Sequence, residues 1–178
     1  MAGPAWQHGR VDFVVRRGGL DDVDRLRELW GALRRHHASL PDMPPTKSLE
    51  DSWTYRRGQY LDWLSKDGYT LLLAEREGEV IGYAVISVGG GAATWDVGER
   101  TIEIETLAVL ESERGKGVGR ALTHAAGDLA AEAGAGSVLV GVAHSNADAI
   151  RFYEREGFKP FYVSLIRPAA SSASPSSR

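Results

Sequence analysis

The sequence predicts one α/β domain with a mixed, mostly antiparallel sheet flanked by helices, in the order β-α-α-β-β-β-α-β-α-β. The 178 residues and the 43% hydrophobic content suit a single hydrophobic core. Strand-like and helical spacings of apolar residues follow one another along the chain, and the period changes from helical to strand-like at Tyr69, with no internal repeat. We therefore expect one domain over residues 11–167, with polar tails over 1–10 and 168–178.

The first three elements follow from chain breaks and helical periodicity. Residues 11–16 are rich in β-forming side chains, and Gly18-Gly19 ends this run before Asp21-Asp22 supplies a helix N-cap. The helix reaches about His37, because helical spacing is kept by Val23, Leu26, Leu29, Trp30 and Leu33. Prolines then predict a loop. Residues 48–65 are predicted to form a second helix. Its aromatic residues belong either to the core or to the wall of a substrate site; they are Trp53, Tyr55, Tyr60 and Trp63.

The next three elements are strands. Residues 69–75 and 80–88 are β-rich runs on either side of a short turn that contains Gly78. Two such runs around a short glycine-containing connection predict a β-hairpin. A glycine-rich loop follows, and residues 101–110 form the next strand.

The last four elements alternate between helix and strand. Apolar residues from Val118 to Ala133 keep helical spacing, and Gly134 ends this helix. Residues 137–143 are a continuous apolar run, which is typical of a strand buried on both faces. A short helix over 146–156 ends at Gly157. The final strand is predicted over 158–167, which contains Tyr162, Val163, Leu165 and Ile166.

Composition argues against several classes of function. A formal net charge of -3 provides no basic field for nucleic acid. The absence of cysteine removes disulfides, thiolate metal sites and a cysteine nucleophile, and no spacing of histidines and carboxylates resembles a metal site. No segment approaches the roughly 18 apolar residues that span a bilayer, and the N-terminus lacks a signal-peptide core. We expect a cytoplasmic protein with no nucleic-acid, membrane or metal partner.

The stretch Arg114-Gly-Lys-Gly-Val-Gly-Arg120 places three glycines and three cations where a strand passes into a helix. Loop amides and the helix N-terminus can converge there on an anion, so a phosphate-type ligand is the first hypothesis. The Walker A spacing and the dinucleotide spacing G-x-G-x-x-G both fail in this stretch. Two alternatives remain: a turn whose glycines only reverse the chain, and a nucleotide-binding domain of another kind.

Arg114, Gly117 and Gly119 form the pattern R-x-x-G-x-G, which resembles the acetyl-CoA pyrophosphate loop of the GCN5-related N-acetyltransferase (GNAT) family. Residues 102–109 resemble the family's fourth strand, and Asn146–Phe158 resembles its closing N-x-x-A-x-x-F-Y-E-x-x-G-F segment. The element order also fits. The resemblance implies a GNAT fold with acetyl-CoA as donor, bound by Leu107, Ala108, Val109, Arg114, Gly115, Lys116, Gly117, Val118, Gly119, Arg120 and Asn146.

The strand before this loop contains a one-residue slip. Apolar residues occupy Ile102 and Ile104, then Leu107 and Val109, and such a slip predicts a β-bulge. The alternative is a half-exposed strand without a bulge. A bulge frees backbone groups, and the family resemblance assigns those of Leu107 and Val109 to the pantetheine arm. The Leu107 amide would lie nearest the acyl oxygen as an oxyanion-type donor.

Three side chains are candidates for proton transfer. Glu103 and Glu105 share one strand face beside the expected acyl position. Either glutamate can accept the proton that an amine must lose before it attacks the thioester. Alternatively, one glutamate binds the positive charge of the acceptor, or both glutamates face water and have no role. The resemblance makes Tyr153 the acid that protonates the CoA thiolate, although its helical spacing also fits packing. It places Asn146 on the pantetheine arm, and Asn146 or Ser145 also fits a helix N-cap.

These residues predict an N-acetyltransferase that moves an acetyl group directly from acetyl-CoA to a primary amine of a small molecule or peptide. The absence of cysteine favours direct transfer over a covalent route. A non-catalytic acyl-CoA-binding or regulatory module of the same fold is the alternative. The acceptor, the choice between Glu103 and Glu105 as base, and the oligomeric state, including a homodimer, stay open at this point.

Overall fold

Five strands form one sheet in the structure, a computed structural model that describes residues 12–167. In spatial and chain order they are β1 (Val14–Gly18), β2 (Tyr69–Arg76), β3 (Glu79–Gly90), β4 (Arg100–Val109) and β5 (Ser137–Val140). The helices are α1 (Arg27–Ser39), α2 (Leu49–Leu64), α3 (Val118–Ala133) and α4 (Ala147–Arg155), with short 3₁₀ helices over Leu20–Leu26 and Glu111–Glu113. Neighbouring strands from β1 to β4 are antiparallel and β5 is parallel to β4, which confirms the predicted mixed sheet.

Helices cover both faces of the sheet, because the central strands are apolar on both sides. In β3, Tyr83 and Val85 pack with α1 and α2 on one side, called the α1–α2 face. Ala84 and Ile86 pack with α3 on the other side, called the α3 face. The apolar stripe that α3 presents to its face contains Val118, Ala121, Leu122, Ala125, Ala126 and Leu129.

Helix ends follow the local capping chemistry where the sequence signals are strong. The Ser48 hydroxyl accepts a hydrogen bond from the Asp51 N–H at 3.0 Å, so α2 begins at the next residue. Gly134 adopts left-handed backbone with φ 63° and ends α3, as predicted. Both helices lie within one residue of their predicted bounds.

The prediction for the first helix is wrong at its start. Residues 20–26 form a 3₁₀ helix, and α1 begins only at Arg27. Asp22 does not cap a long α-helix, because its carboxylate accepts from the Gly19 N–H and pairs with Arg16 and Arg25. Val11, where the first strand was predicted to start, and both predicted tails lie outside the described residues.

Both C-terminal strand predictions need correction. β5 ends at Val140 instead of Ala143, and it is half-buried because it is the outermost strand. Residues 158–167 form no strand. Their large hydrophobic side chains are mostly in solvent, with 79–91% of the residue surface exposed at Tyr162, Val163, Leu165 and Ile166. β-forming side chains make a strand only where a neighbour supplies ladder hydrogen bonds, and this segment pairs with no strand of the described sheet. A groove of 690 Å³ instead lies between α3, β5 and residues 156–161.

Within residues 12–167, no helix combines the length and apolar content needed to cross a bilayer.

Candidate active site

β4 carries the predicted bulge. Val85 of β3 pairs with Thr106, while the next residue, Ile86, pairs with Ile104, so Glu105 is the extra residue. Ile104 packs on the α3 face, whereas Thr106, beyond the extra residue, reaches α2 through its hydroxyl on the α1–α2 face. The slip in the apolar pattern is therefore a bulge, as predicted, and Glu105 occupies it.

β4 and β5 separate at the bulge. Their parallel pairing ends at Ile104 and Val140, while β4 continues to Val109. The Leu110 N–H donates to a β3 carbonyl at 3.0 Å. Because N–H groups alternate sides along an extended chain, those of Val109 and Leu107 point away from β3. Two backbone donors therefore face the opening that is left where β5 ends.

The opening leads to the glycine loop over 114–120. Gly115 and Gly117 hold left-handed backbone, with φ 76° and 89°, and a Cβ added at either would meet no atom within 4 Å. Gly117 is the N-cap of α3, and no side chain caps the first turn of that helix. The N–H groups of the first turn are thus available to an anion in a cradle that glycine keeps open. The residues present fit a phosphate-type ligand.

The cations of the loop differ in what they contact. Arg114 is exposed and makes no ion pair within residues 12–167, while Arg120 Nε lies 3.6 Å from a carboxylate at the end of α4. Lys116 Nζ lies 3.3 Å from Glu113, whose buried carboxylate also accepts from Arg76 of β2 at 2.7 Å. Hydrogen bonding from Arg76 holds the pKa of Glu113 below its usual range. The ion pairs tie the loop to the sheet and leave Arg114 available for a ligand.

Glu103 and Glu105 lie beside the opening, toward the α1–α2 face. Ser87 pairs with Glu103 across the strands, and its hydroxyl donates to Glu105 Oε1 at 2.8 Å. Glu103 is exposed and makes no hydrogen bond or ion pair within the described chain. Partial desolvation, followed by the nearby Glu105 carboxylate, raises the pKa of Glu103. The two carboxylates therefore differ: Glu105 is held by a hydroxyl, and Glu103 is unbound.

A chain of buried hydroxyls lies behind the glutamates. Tyr60 Oη donates to Thr106 Oγ1 at 3.0 Å and lies 3.0 Å from Tyr83 Oη. Burial raises the pKa of both tyrosines, so both remain neutral phenols at physiological pH. The chain joins α2, β3 and β4 next to the bulge, and so fixes the backbone on which Glu105 sits.

The start of α4 contains the two remaining predicted residues. Asn146 is buried, and its Oδ1 accepts from the Ala149 N–H at 3.2 Å, so Asn146 and not Ser145 is the N-cap. Tyr153 is only 8% exposed and packs edge-on against Phe152 and Phe158. Burial raises the pKa of Tyr153 to about 12. Its side chain belongs to the core on the α3 face.

The predicted residues thus fall into three groups. The glycine loop lies at the end of β4, the two glutamates face α1 and α2, and Tyr153 lies on the α3 face. None of them lines the groove beside β5. In the described part of the chain, no group of three His, Cys, Asp or Glu side chains could hold a metal ion.

A family model described as the acetyltransferase (GNAT) family matches residues 32–158. The chain belongs to the GNAT family. Among curated relatives, the mycothiol acetyltransferase of Thermobispora bispora is 32% identical, with 90% of this chain and 63% of the relative covered. The streptothricin acetyltransferase of Streptomyces lavendulae is 36% identical over 92 residues, covering 52% of this chain and 45% of the relative. The chain thus spans about half to two thirds of the length of these relatives.

Solved GNAT structures share the fold. A GCN5-related N-acetyltransferase from Ralstonia eutropha superposes with a TM-score of 0.72 at 20% identity, covering 89% of this chain and 99% of that one. The aminoglycoside N-acetyltransferase AAC(6')-Iy in complex with CoA gives a TM-score of 0.70 at 18% identity, with 92% and 99% covered. At these identities the likeness establishes the GNAT fold.

Two residues near the bulge contribute contacts that the sequence patterns do not predict. Ser87 is the one serine or threonine in the β-rich run 80–88 of β3, which is a signal that can be read from the sequence. The sequence predicts that Tyr60 belongs either to the core or to a substrate wall. In the structure Tyr60 is buried, and its hydroxyl donates a hydrogen bond to Thr106, the residue that follows the bulge.

Proposed function

We propose that this chain is an N-acetyltransferase that moves an acetyl group directly from acetyl-CoA to a primary amine bound beside Glu103 and Glu105. One observation carries the proposal: β4 separates from β5 at the bulge, directly before the glycine loop. In this proposal, the separation lets a donor extend from the anion cradle, past the backbone N–H groups of Val109 and Leu107, to the pair of carboxylates. The names of the relatives and the CoA complex with the same fold support this choice of donor.

Acetyl-CoA, when bound, supplies an acetyl group that is activated as a thioester. The N–H groups at the start of α3, with Arg114, would hold its pyrophosphate. The N–H groups of Val109 and Leu107 would bind the pantetheine arm and the acyl oxygen, where negative charge develops during attack. The side-chain amide of Asn146 has an N–H₂ group beyond its capping oxygen, and this group would bind the arm as well.

Glu103 is the general base in this proposal. A raised pKa brings a carboxylate closer to the working pH and makes it a stronger proton acceptor, and Glu103 has no hydrogen bond to lose when it takes the proton. Glu105, held by Ser87, maintains that raised pKa and attracts the incoming ammonium ion. Tyr153 retains its proton at neutral pH, because burial raises its pKa to about 12, and it would be the residue that protonates the departing CoA thiolate.

The test is CoA release measured across a panel of amines, together with Glu103→Gln, Glu105→Gln and Tyr153→Phe. Loss of a general acid or base lowers kcat by about 10²–10⁴-fold, and we expect this for Glu103→Gln and Tyr153→Phe. Tight acetyl-CoA binding without turnover of any amine would instead identify a non-catalytic acyl-CoA-binding module. Full activity in all three variants would refute the assigned roles.

A further inference from the structure

Arg56 is a cation on α2 that contacts aromatic rings and forms no ion pair with a carboxylate of residues 12–167. Its guanidinium carbon lies 4.6 Å from the ring centroid of Trp30, 5.5 Å from that of Tyr60 and 5.8 Å from that of Trp63. Its Nε is buried and finds no hydrogen-bond acceptor among residues 12–167. A buried donor without an acceptor costs free energy, which a ligand that accepts the hydrogen bond would recover.

Gln59 lies one turn along the same helix and has a buried Oε1, which also finds no partner in the described chain. Residues three apart on a helix are neighbours, so α2 presents an unpaired donor and an unpaired acceptor side by side. Adjacent polar groups are satisfied: Trp30 Nε1 donates to Ser52 at 3.1 Å, and Arg57 pairs with Asp24 at 2.5 Å. Among the described residues of α2, Arg56 and Gln59 are thus the two with buried side-chain atoms that lack a hydrogen-bond partner.

Tyr60 connects this position to the proposed site. Its ring lies under the Arg56 guanidinium, and its hydroxyl bonds to Thr106, the residue that follows Glu105. Burial raises the pKa of the Tyr60 phenol, and the two nearby charges make smaller contributions: Arg56 lowers this pKa and Glu105 raises it. Arg56 forms no ion pair with either glutamate. A cation and a carboxylate therefore act on one tyrosine without forming an ion pair with each other.

We propose that Arg56 determines acceptor specificity, and that the preferred acceptors are primary amines that carry a carboxylate, such as α-amino acids. The inference rests on the proposed function. The amine lies at Glu103 and Glu105, and the carboxylate accepts hydrogen bonds from the guanidinium, whose planar edge is suited to carboxylate oxygens. Stacking on the aromatic rings holds the guanidinium in place before the acceptor arrives. A diamine would bring a second cation against Arg56 and is disfavoured by like-charge repulsion.

The experiment measures CoA release for α-amino acids, their carboxamides and matched diamines, with rates expressed per concentration of free amine. The wild type should show kcat/KM about 10–100-fold higher for an acid than for its amide, mainly through KM, because a charge-assisted pair is lost. Arg56→Met should bring this ratio to about one. Arg56→Lys should keep part of the preference, since it retains the charge but not the planar fork. Arg57→Met, one residue away, is the matched control and should leave the ratio unchanged.

The outcomes separate the two proposals. If no amine of any class is acetylated, the proposed function fails. If amides and diamines react as well as acids, or if the acid preference survives Arg56→Met, the role of Arg56 is refuted while the acetyltransferase activity stands. Should Arg56→Met not fold, the result depends on Arg56→Lys: an acid-to-amide ratio equal to that of the wild type would overturn the inference, and a reduced ratio would support it.

Discussion

Substitution of Gly117 by alanine tests whether the loop binds the donor. Gly117 has φ 89° and ψ -3°, and a Cβ there meets no atom within 4 Å, so the added methyl group causes no clash. The cost in the free protein is the left-handed backbone alone, about 1–2 kcal/mol for a residue with a side chain. For a chain of this length the cost corresponds to a fall in Tm of about 2–8 °C. The methyl group would also project into the open cradle at the start of α3, where we propose that the pyrophosphate binds.

Gly78→Ala supplies the matched control. Gly78 lies in the turn between β2 and β3, has φ 85° and also has open space around its Cβ position. Calorimetric melting should show similar losses for both variants. Titration calorimetry with acetyl-CoA should show Kd weakened at least about tenfold for Gly117→Ala, about 1.4 kcal/mol, and unchanged for Gly78→Ala. Equal melting losses with equal acetyl-CoA affinities would refute the assignment of this loop to the pyrophosphate.

Three further predictions concern the catalytic pair, the sheet and an ion-pair network. Glu105→Gln removes a charge that raises the pKa of Glu103. The acid limb of the pH profile of kcat/KM, where activity is lost as Glu103 is protonated, should therefore move to lower pH with a given acceptor. An unmoved limb would argue against Glu103 as the base. Gly82→Ala would place a Cβ 2.7 Å from Val118 Cγ1, so thermal melting should show about 1–3 kcal/mol of destabilisation, and unchanged melting would contradict this packing. Asp22→Asn removes a carboxylate whose pKa is lowered from 3.8 to about 2, chiefly by hydrogen bonding from Arg16. The ionised carboxylate contributes about 1 kcal/mol to the free energy of unfolding after solvent screening. This contribution is present above the ordinary pKa of an aspartate and is lost as the pH falls through the lowered pKa, so the urea midpoints of parent and variant should converge near pH 2.

Local patterns were sufficient for several parts of the fold and the site. The bounds of α3 follow from helical spacing and from the left-handed Gly134, both of which are properties of neighbouring residues. The bulge follows from a one-residue slip, because side chains alternate along any strand. The order of loop and helix after β4 follows from the glycines alone. Interactions within a few residues of the chain determine all of these features.

Predictions failed where distant partners decide the outcome. Residues 158–167 have the composition of a strand, but they pair with no strand of the described sheet. β5 was predicted to be buried on both faces, and its place at the edge of the sheet leaves it half-buried. Asp22 was predicted to cap an α-helix, and Arg16 and Arg25 use its carboxylate in ion pairs instead.

The sequence by itself determined the family resemblance, the anion-binding loop and the bulged strand, because each depends on residue types at fixed short spacings. Only the tertiary structure distinguished Glu103 from Glu105, by bringing the Ser87 hydroxyl to one carboxylate and leaving the other free. It also placed Arg56 over Trp30 and Tyr60 with no carboxylate partner. These contacts join residues far apart in the chain, and their effect on charge and hydrogen bonding depends on distances that no local spacing encodes.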